Sequence, residues 1–198
     1  MVSIAVLASG SGTNLQAIID FNAKLGASAN GVVSLVASNR ASAGVLDKAR
    51  AAGIRAEVFD ASDDGSALLG LLQRSFIDLV VLAGYLKHLP PKVISAYHSR
   101  IINIHPGLLP QFGGAGMYGS KVHAAVLAAG APFTGVTVHF VDEEFDHGPT
   151  IARWRIAVRD DDTAESLAAR VLEVEHRVYP AIVEMVASLN DKKFFADY

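Results

Sequence analysis

The run Arg100-Ile101-Ile102-Asn103-Ile104-His105 breaks off against Pro106-Gly107-Leu108-Leu109-Pro110. Its β-branched, apolar character reads as a buried strand. The two prolines and the glycine forbid its continuation. Residues two apart in a strand project to the same face. Asn103 and His105 therefore stand side by side, an amide and an imidazole at the edge of a loop. Strand ends of this kind carry ligand sites in open α/β sheets. A buried strand whose Asn and His are merely hydrogen-bonded fits the same residues, so the rest of the chain has to separate the two readings.

Strand and helix patterns alternate before this run. Ser3–Ala8 predicts a fully buried strand. It is followed by Ser9-Gly10-Ser11-Gly12-Thr13-Asn14 and a helix in which Leu15, Ile18, Ile19 and Leu25 fall at helical spacing. Further strands are expected at Gly31–Ala37, Ala56–Phe59 and Asp78–Ala83. Helices are expected at Ala43–Ala52, Ser66–Ser75 and Lys92–Tyr97, the last opened by Pro91. Repeated β-α units imply a parallel sheet with right-handed crossovers.

After Pro110 the pattern changes. Gln111–Ser120 holds four glycines and no periodicity, and predicts a mobile, lid-like loop. A helix at Lys121–Ala129 leads to two alternating strands, Thr134–Val141 and Thr150–Val158, joined by an acidic turn, Asp142–Pro149. So short a turn makes them antiparallel neighbours. A long helix, Ala164–Leu189, is expected to kink or split at Pro180, and Asn190–Tyr198 to fray. The expected class is α/β: a mostly parallel twisted sheet with helices on both faces and an antiparallel C-terminal strand pair. All 198 residues form one domain in this reading, with a phosphate-binding half at 1–100 and a catalytic half at 101–198.

Composition narrows the chemistry. Hydrophobic residues make up 51% of the chain and charged ones 19%, which supports a sizeable core. A net charge of −3 with no basic run argues against a nucleic-acid partner. Cysteine is absent, which excludes disulfides, thiolate metal sites and a cysteine nucleophile, and fits a reducing cytoplasm. No segment approaches the ~18 apolar residues of a membrane span. Val2–Ala8 is too short for a signal peptide and lacks a basic flank.

The strand–glycine loop–helix unit at residues 9–14 is an anion cradle, with free N–H groups and the positive end of a helix dipole facing the turn. It is not a dinucleotide fingerprint. Leu15 stands where the third glycine belongs, and the second strand ends in Ser38-Asn39-Arg40 rather than in an acid. Ser11, Thr13 and Asn14 add donors suited to a single terminal phosphate, although a tight turn without a ligand has the same sequence.

In a parallel sheet the glycine loop, the Leu86–Leu89 segment and Asn103/His105 converge at strand carboxyl ends. Asp146, in the acidic turn, is the natural source of a carboxylate. No serine is paired with His105 in a nucleophile motif. The seven histidines, at 88, 98, 105, 123, 139, 147 and 176, include no metal-binding spacing. What remains is electrostatic catalysis. An amide N–H and a protonated imidazole stabilise an oxyanion, a neighbouring carboxylate keeps the imidazole protonated, and the same carboxylate accepts a proton from an attacking amine.

Asn103-Ile104-His105-Pro106, Leu108-Leu109-Pro110, Thr137-Val138-His139-Phe140-Val141-Asp142-Glu143 and Asp146-His147-Gly148-Pro149, together with the opening Leu7–Ile19, resemble the folate-dependent formyltransferases. The resemblance runs from Val2 to about Pro180. It implies a Rossmann-like fold and a direct transfer of the formyl group of 10-formyltetrahydrofolate to the amine of glycinamide ribonucleotide, a step of purine biosynthesis. A cytoplasmic enzyme acting on small molecules, without metal, and as a monomer or homodimer, is implied with it. His105 would be the general acid and Asn103 its partner on the formyl oxygen, with Asp146 raising the histidine's pKa. Gly12, Thr13 and Asn14 would cradle the phosphate, and Glu175 would contact the ribose. Leu86, Lys87, His88 and Leu89 would line one folate wall, and Phe140–Asp146, with Val141, Asn103 and Asp146, the other.

The sequence also departs from the family pattern. The turn Asp63-Asp64-Gly65-Ser66 lacks an arginine that often meets the folate's glutamate tail, leaving Lys87 as a substitute. Gly107 stands where serine is frequent. A formyltetrahydrofolate hydrolase shares the three polar residues, and a non-catalytic nucleotide-binding module would use the glycine loop alone. Methionyl-tRNA formyltransferase shares the core too, but needs a basic surface that this chain lacks. His139 reads as a packed or supporting residue, the other histidines outside His105 as surface or capping residues, and Trp154 as packing.

Overall fold

A computed structural model describes residues 1–189, so the expected fraying of Asn190–Tyr198 lies outside the described residues. At its centre is β1 (Val2–Leu7), whose side chains alternate between two cores. Ile4 and Val6 enter one, Ala5 and Leu7 the other, and all four are fully buried. Burial on both faces is what an unbroken apolar strand requires.

From β1 the chain runs through α1 (Thr13–Leu25) to β2 (Gly31–Ser38), then α2 (Gly44–Ala51) and β3 (Arg55–Val58), stepping outward on one side. It returns through α3 (Ser66–Arg74) to β4 (Leu79–Leu82) on the opposite side of β1. A short α4 (Pro91–Ala96) leads to β5 (Ile101–His105). Next come α5 (Ser120–Ala128), β6 (Phe133–Phe140), β7 (Thr150–Ala157) and α6 (Ala164–Leu189). The seven strands lie in the order β3-β2-β1-β4-β5-β6-β7. The first five are parallel, and β6 and β7 are antiparallel to their neighbours. The mixed sheet is the one expected, and most predicted element ends shift by a single residue.

Residues of α1, α2 and α6 fill one core, and those of α3 and α4 the other. α5 packs on α6 through Val122, Val126 and Leu167, with the Phe112 ring between them. The expected break at Pro180 does not split α6, which runs as one helix. Proline removes one N–H, but Val178, Tyr179 and Val183 around it are core residues that hold both halves against the sheet. The Tyr179 hydroxyl also donates to the Leu82 carbonyl at 2.8 Å, tying this turn to the end of β4.

Neighbouring β1 and β4 send their connections in opposite directions, which opens a crevice at their carboxyl ends. Ser9 closes the base of that crevice. Its N–H donates to Gly84 O (2.9 Å), its hydroxyl donates to Asn39 Oδ1 (2.7 Å), and it accepts from the Leu86 N–H (3.2 Å). The ends of β1, β2 and β4 are thereby fixed relative to one another. Removing the hydroxyl of Tyr179 (Tyr179→Phe) would leave Leu82 O without its close side-chain donor. We expect a loss of about 1–2 kcal/mol in urea unfolding with the fold retained.

Candidate active site

β5 and β6 pair with Asn103 opposite His139 and His105 opposite Thr137. Ile102, Ile104, Val136 and Val138 fill the core on one face, so the four polar residues share the other. His105, Thr137 and His139 on this polar face are buried and Asn103 is partly exposed, and each of the four side chains is held. The Thr137 hydroxyl donates to Gly107 O (2.7 Å) and accepts from the Leu109 N–H (3.2 Å), pinning the chain where it leaves β5. His139 Nδ1 lies 2.8 Å from Phe140 O, an acceptor only, so Nδ1 carries the proton. Nε2 is then an acceptor and takes the amide N–H of Asn103 at 3.1 Å. That bond orients the Asn103 amide, with nitrogen toward His139.

The acidic turn brings Asp146 over this face. Its Oδ2 lies 3.4 Å from His105 Nδ1, and its Oδ1 lies 3.6 Å from His139 Nε2. Asp146 itself sits at φ +56°, a left-handed conformation that turns the carboxylate back toward the sheet. From the glycine-rich segment, the Gly114 N–H donates to Asp146 Oδ2 (3.0 Å) and the Phe112 carbonyl accepts from His105 Nε2 (2.7 Å). The segment expected to be a free lid is thus pinned at its start. Sequence periodicity carries no trace of such backbone contacts.

The expected effect of Asp146 on His105 is present but outweighed, and the His105 pKa lies below that of an ordinary histidine. Burial is the largest cause, and the Asp146 carboxylate offsets only part of it. The imidazole is therefore uncharged at neutral pH in this structure. For Asp146, burial works upward, but the contacts of its carboxylate, the Gly114 N–H among them, outweigh it, and the carboxyl lies below its usual range. It is ionised at neutral pH.

Asn103, His105, His139, Asp146 and Gly114 border one cavity of about 480 Å³. Leu86, Lys87, His88, Leu89 and Val141 of the two expected walls line it too. His88 Nε2 donates to Glu143 O (2.9 Å) and its ring packs edge-on against Phe145 at 4.6 Å, joining the two walls. Ser11, Thr13, Asn14 and Glu175 line the same cavity. Gly12 does not. It sits at φ +77° at the start of α1, where a Cβ would stand 2.7 Å from Val45 Cα, so it lets α1 and α2 approach closely.

Glu175 is buried, and Asn14 Nδ2 donates to its Oε2 at 2.7 Å. Burial pushes its pKa up to about 7, with the Asn14 bond working the other way. Asn14 Oδ1 is buried without a hydrogen-bond partner among the described residues.

Two histidines expected at the surface are not there. His123, on α5, is 4% exposed and lines the cavity. His176 is half-buried, with Nε2 buried and unpartnered among the described residues. His123 is covered because α5 packs against α6, a contact that neither helix reveals alone. Trp154 packs against the core as expected. Among the described residues no group of three or more His, Asp or Glu is placed to hold a metal ion, and no helix is long and apolar enough to cross a membrane.

Fold and site together define a Rossmann-like α/β domain with a ligand cavity at its topological switch point. The chain belongs to the formyl transferase family, whose model matches residues 2–183. It is 43% identical to the chloroplastic phosphoribosylglycinamide formyltransferase of Vigna unguiculata over 91% of this chain and 59% of that protein. Identity to the phosphoribosylglycinamide formyltransferase of Escherichia coli (strain K12) is 38%, over 94% of this chain and 87% of that one. The crystal structure of the phosphoribosylglycinamide formyltransferase from Anaplasma phagocytophilum superposes with a TM-score of 0.87 at 37% identity, covering 94% of this chain and 87% of that one. This chain thus spans about three-fifths of the plant relative's length.

Glu175 makes stability depend on pH. Its carboxyl holds a proton up to about pH 7 when folded, against an ordinary value of 4.5. The stabilisation is complete below pH 4.5 and is lost as pH rises through 7. Urea unfolding of wild type and Glu175→Gln at pH 5 and pH 8 should show the wild type losing about 2–3 kcal/mol relative to the variant.

Proposed function

We propose that this chain transfers the formyl group of 10-formyltetrahydrofolate to the amine of glycinamide ribonucleotide. The observation that carries the reading is one cavity that holds an amide–imidazole–carboxylate cluster together with a buried carboxyl and the donors of a glycine-rich helix start. The second group suits a phosphorylated ribose. The first suits an acyl carbon under attack by an amine. Family membership and the phosphoribosylglycinamide formyltransferase relatives support the same assignment.

In this reading Ser11, Thr13 and Asn14 hold the phosphate, and Gly12 shapes the turn that presents them. Glu175 accepts from the ribose hydroxyls. The folate lies between Leu86–Leu89 and Val141–Asp146, with Lys87 supplying positive charge for its glutamate tail. The amine nitrogen attacks the formyl carbon, and the carbonyl electrons move to oxygen. Asn103 offers that oxygen the N–H it does not give to His139. Asp146, ionised, accepts the proton released by the new C–N bond and relays it to His105. The protonated imidazole then faces the oxyanion. As the intermediate collapses, the bond from carbon to N10 breaks, and N10 takes the proton and leaves as tetrahydrofolate. The enzyme forms no covalent bond to the formyl group.

The test is the purified chain with both substrates, followed by tetrahydrofolate absorbance. Release that requires the amine supports transfer, whereas release without it means a hydrolase. Asp146→Asn and Asn103→Ala should each lower kcat about 10²-fold or more with nucleotide binding retained. Near-normal turnover in Asp146→Asn would remove the carboxylate from the proton path.

A further inference from the structure

The backbone of the glycine-rich segment after β5 touches both ionisable partners of the acyl site. The Phe112 carbonyl accepts from His105 Nε2 at 2.7 Å, and the Gly114 N–H donates to Asp146 Oδ2 at 3.0 Å. Gly113 lies between them under tight constraint. A Cβ there would stand 2.3 Å from Leu109 Cδ2 and 3.0 Å from Asp146 Cβ. The segment is anchored at one end, because the Phe112 ring is 5% exposed and packs with Val122, Val126 and Leu167 of α5 and α6.

We propose that the Phe112–Gly114 backbone is a positioning brace that selects the tautomer of His105 and so decides which ring nitrogen carries the mobile proton. The inference rests on the reading of Asn103, His105 and Asp146 as the reacting centre. A carbonyl oxygen only accepts, so the neutral imidazole is held as the Nε2–H tautomer. Its Nδ1 lone pair then faces Asp146 Oδ2 at 3.4 Å. Two acceptors face each other there, and a proton placed between them relieves the conflict. The proton taken from the amine therefore enters at Nδ1, on the Asp146 side, while the Nε2 proton stays with Phe112 O throughout. The Gly114 N–H holds Oδ2 in the position from which this exchange occurs.

The other titratable groups facing His105 are imidazoles, His139 from β6 and His123 from α5. His139 disfavours a charge on His105, whereas the Asp146 carboxylate and the Phe112 carbonyl favour it. The brace also explains why residue 113 is glycine. A side chain there has to displace the Leu109 methyl and crowd Asp146 Cβ, which disturbs the segment on the side that carries both backbone contacts.

The experiment labels the full chain with 15N-histidine and reads the His105 tautomer from long-range 1H–15N correlations, with His105→Gln used for assignment. Above its titration range, wild-type His105 should show a protonated Nε2 and an unprotonated Nδ1. Gly113→Ala should mix the two tautomers and lower kcat about 10- to 100-fold, with KM for both substrates changed less than about twofold. An Nδ1–H tautomer in the wild type would overturn the proposal. So would a Gly113→Ala chain in which tautomer and kcat do not change together. If Gly113→Ala does not fold, the wild-type tautomer decides alone. A wild type that shows no formyl transfer would strike the functional reading itself, whatever tautomer it holds.

Discussion

The antiparallel pairing of β5 with β6 sets the geometry on which the cavity depends. Every other contact of β5 and its predecessors is parallel, and parallel strands present their carboxyl ends together. By turning β6 round, the chain lays His139 directly against Asn103 and Thr137 against His105. A one-residue slip would exchange these four for Ile104, Val138 and their neighbours, and would bury polar side chains in the apolar core. The hydrophobic pattern of the strands therefore locks the register, and the register builds the site.

A buried polar face is stable only if its groups are satisfied. Here the partners come from segments without regular structure. Thr137 is bonded to the chain leaving β5, His105 to Phe112, Asp146 to Gly114, and Asn103 to His139. The same contacts that offset desolvation also aim the groups, so stability and preorganisation have one origin. The two carboxyls of the cavity show how far environment alone divides like groups. Asp146, amid an N–H and two imidazoles, stays ionised, whereas Glu175, buried with one amide donor, holds its proton to about pH 7. One is left as a proton acceptor, the other as a neutral hydrogen-bonding group.

Much of this was legible beforehand. The apolar run ending at Pro106, the glycine loop after β1 and the acidic turn between alternating strands each carry a local signature of strand, turn or cap. The same signals placed Asn103, His105 and Asp146 at strand ends. Other features left no local mark. Gly12 looks like part of an anion cradle, and nothing in its local sequence shows that it also lets α1 approach Val45. His123 looks like a surface histidine on a short helix and is buried in the cavity wall. The glycines of residues 113–119 look like flexibility, yet Gly113 and Gly114 are held against Asp146.

By itself the sequence determined the alternation of strands and helices, the mixed sheet, and which polar residues stand at strand ends. These follow from periodicities of two and 3.6 residues and from the steric limits of glycine and proline, all of which act within a few residues. Tertiary structure alone decided the charge states and the partners. The protonation of His105 depends on how deeply it is buried, on a carboxylate 41 positions along the chain and on a carbonyl of the intervening loop. Desolvation and hydrogen bonding are properties of a packed environment, and no stretch of sequence contains that environment until the chain has folded around it.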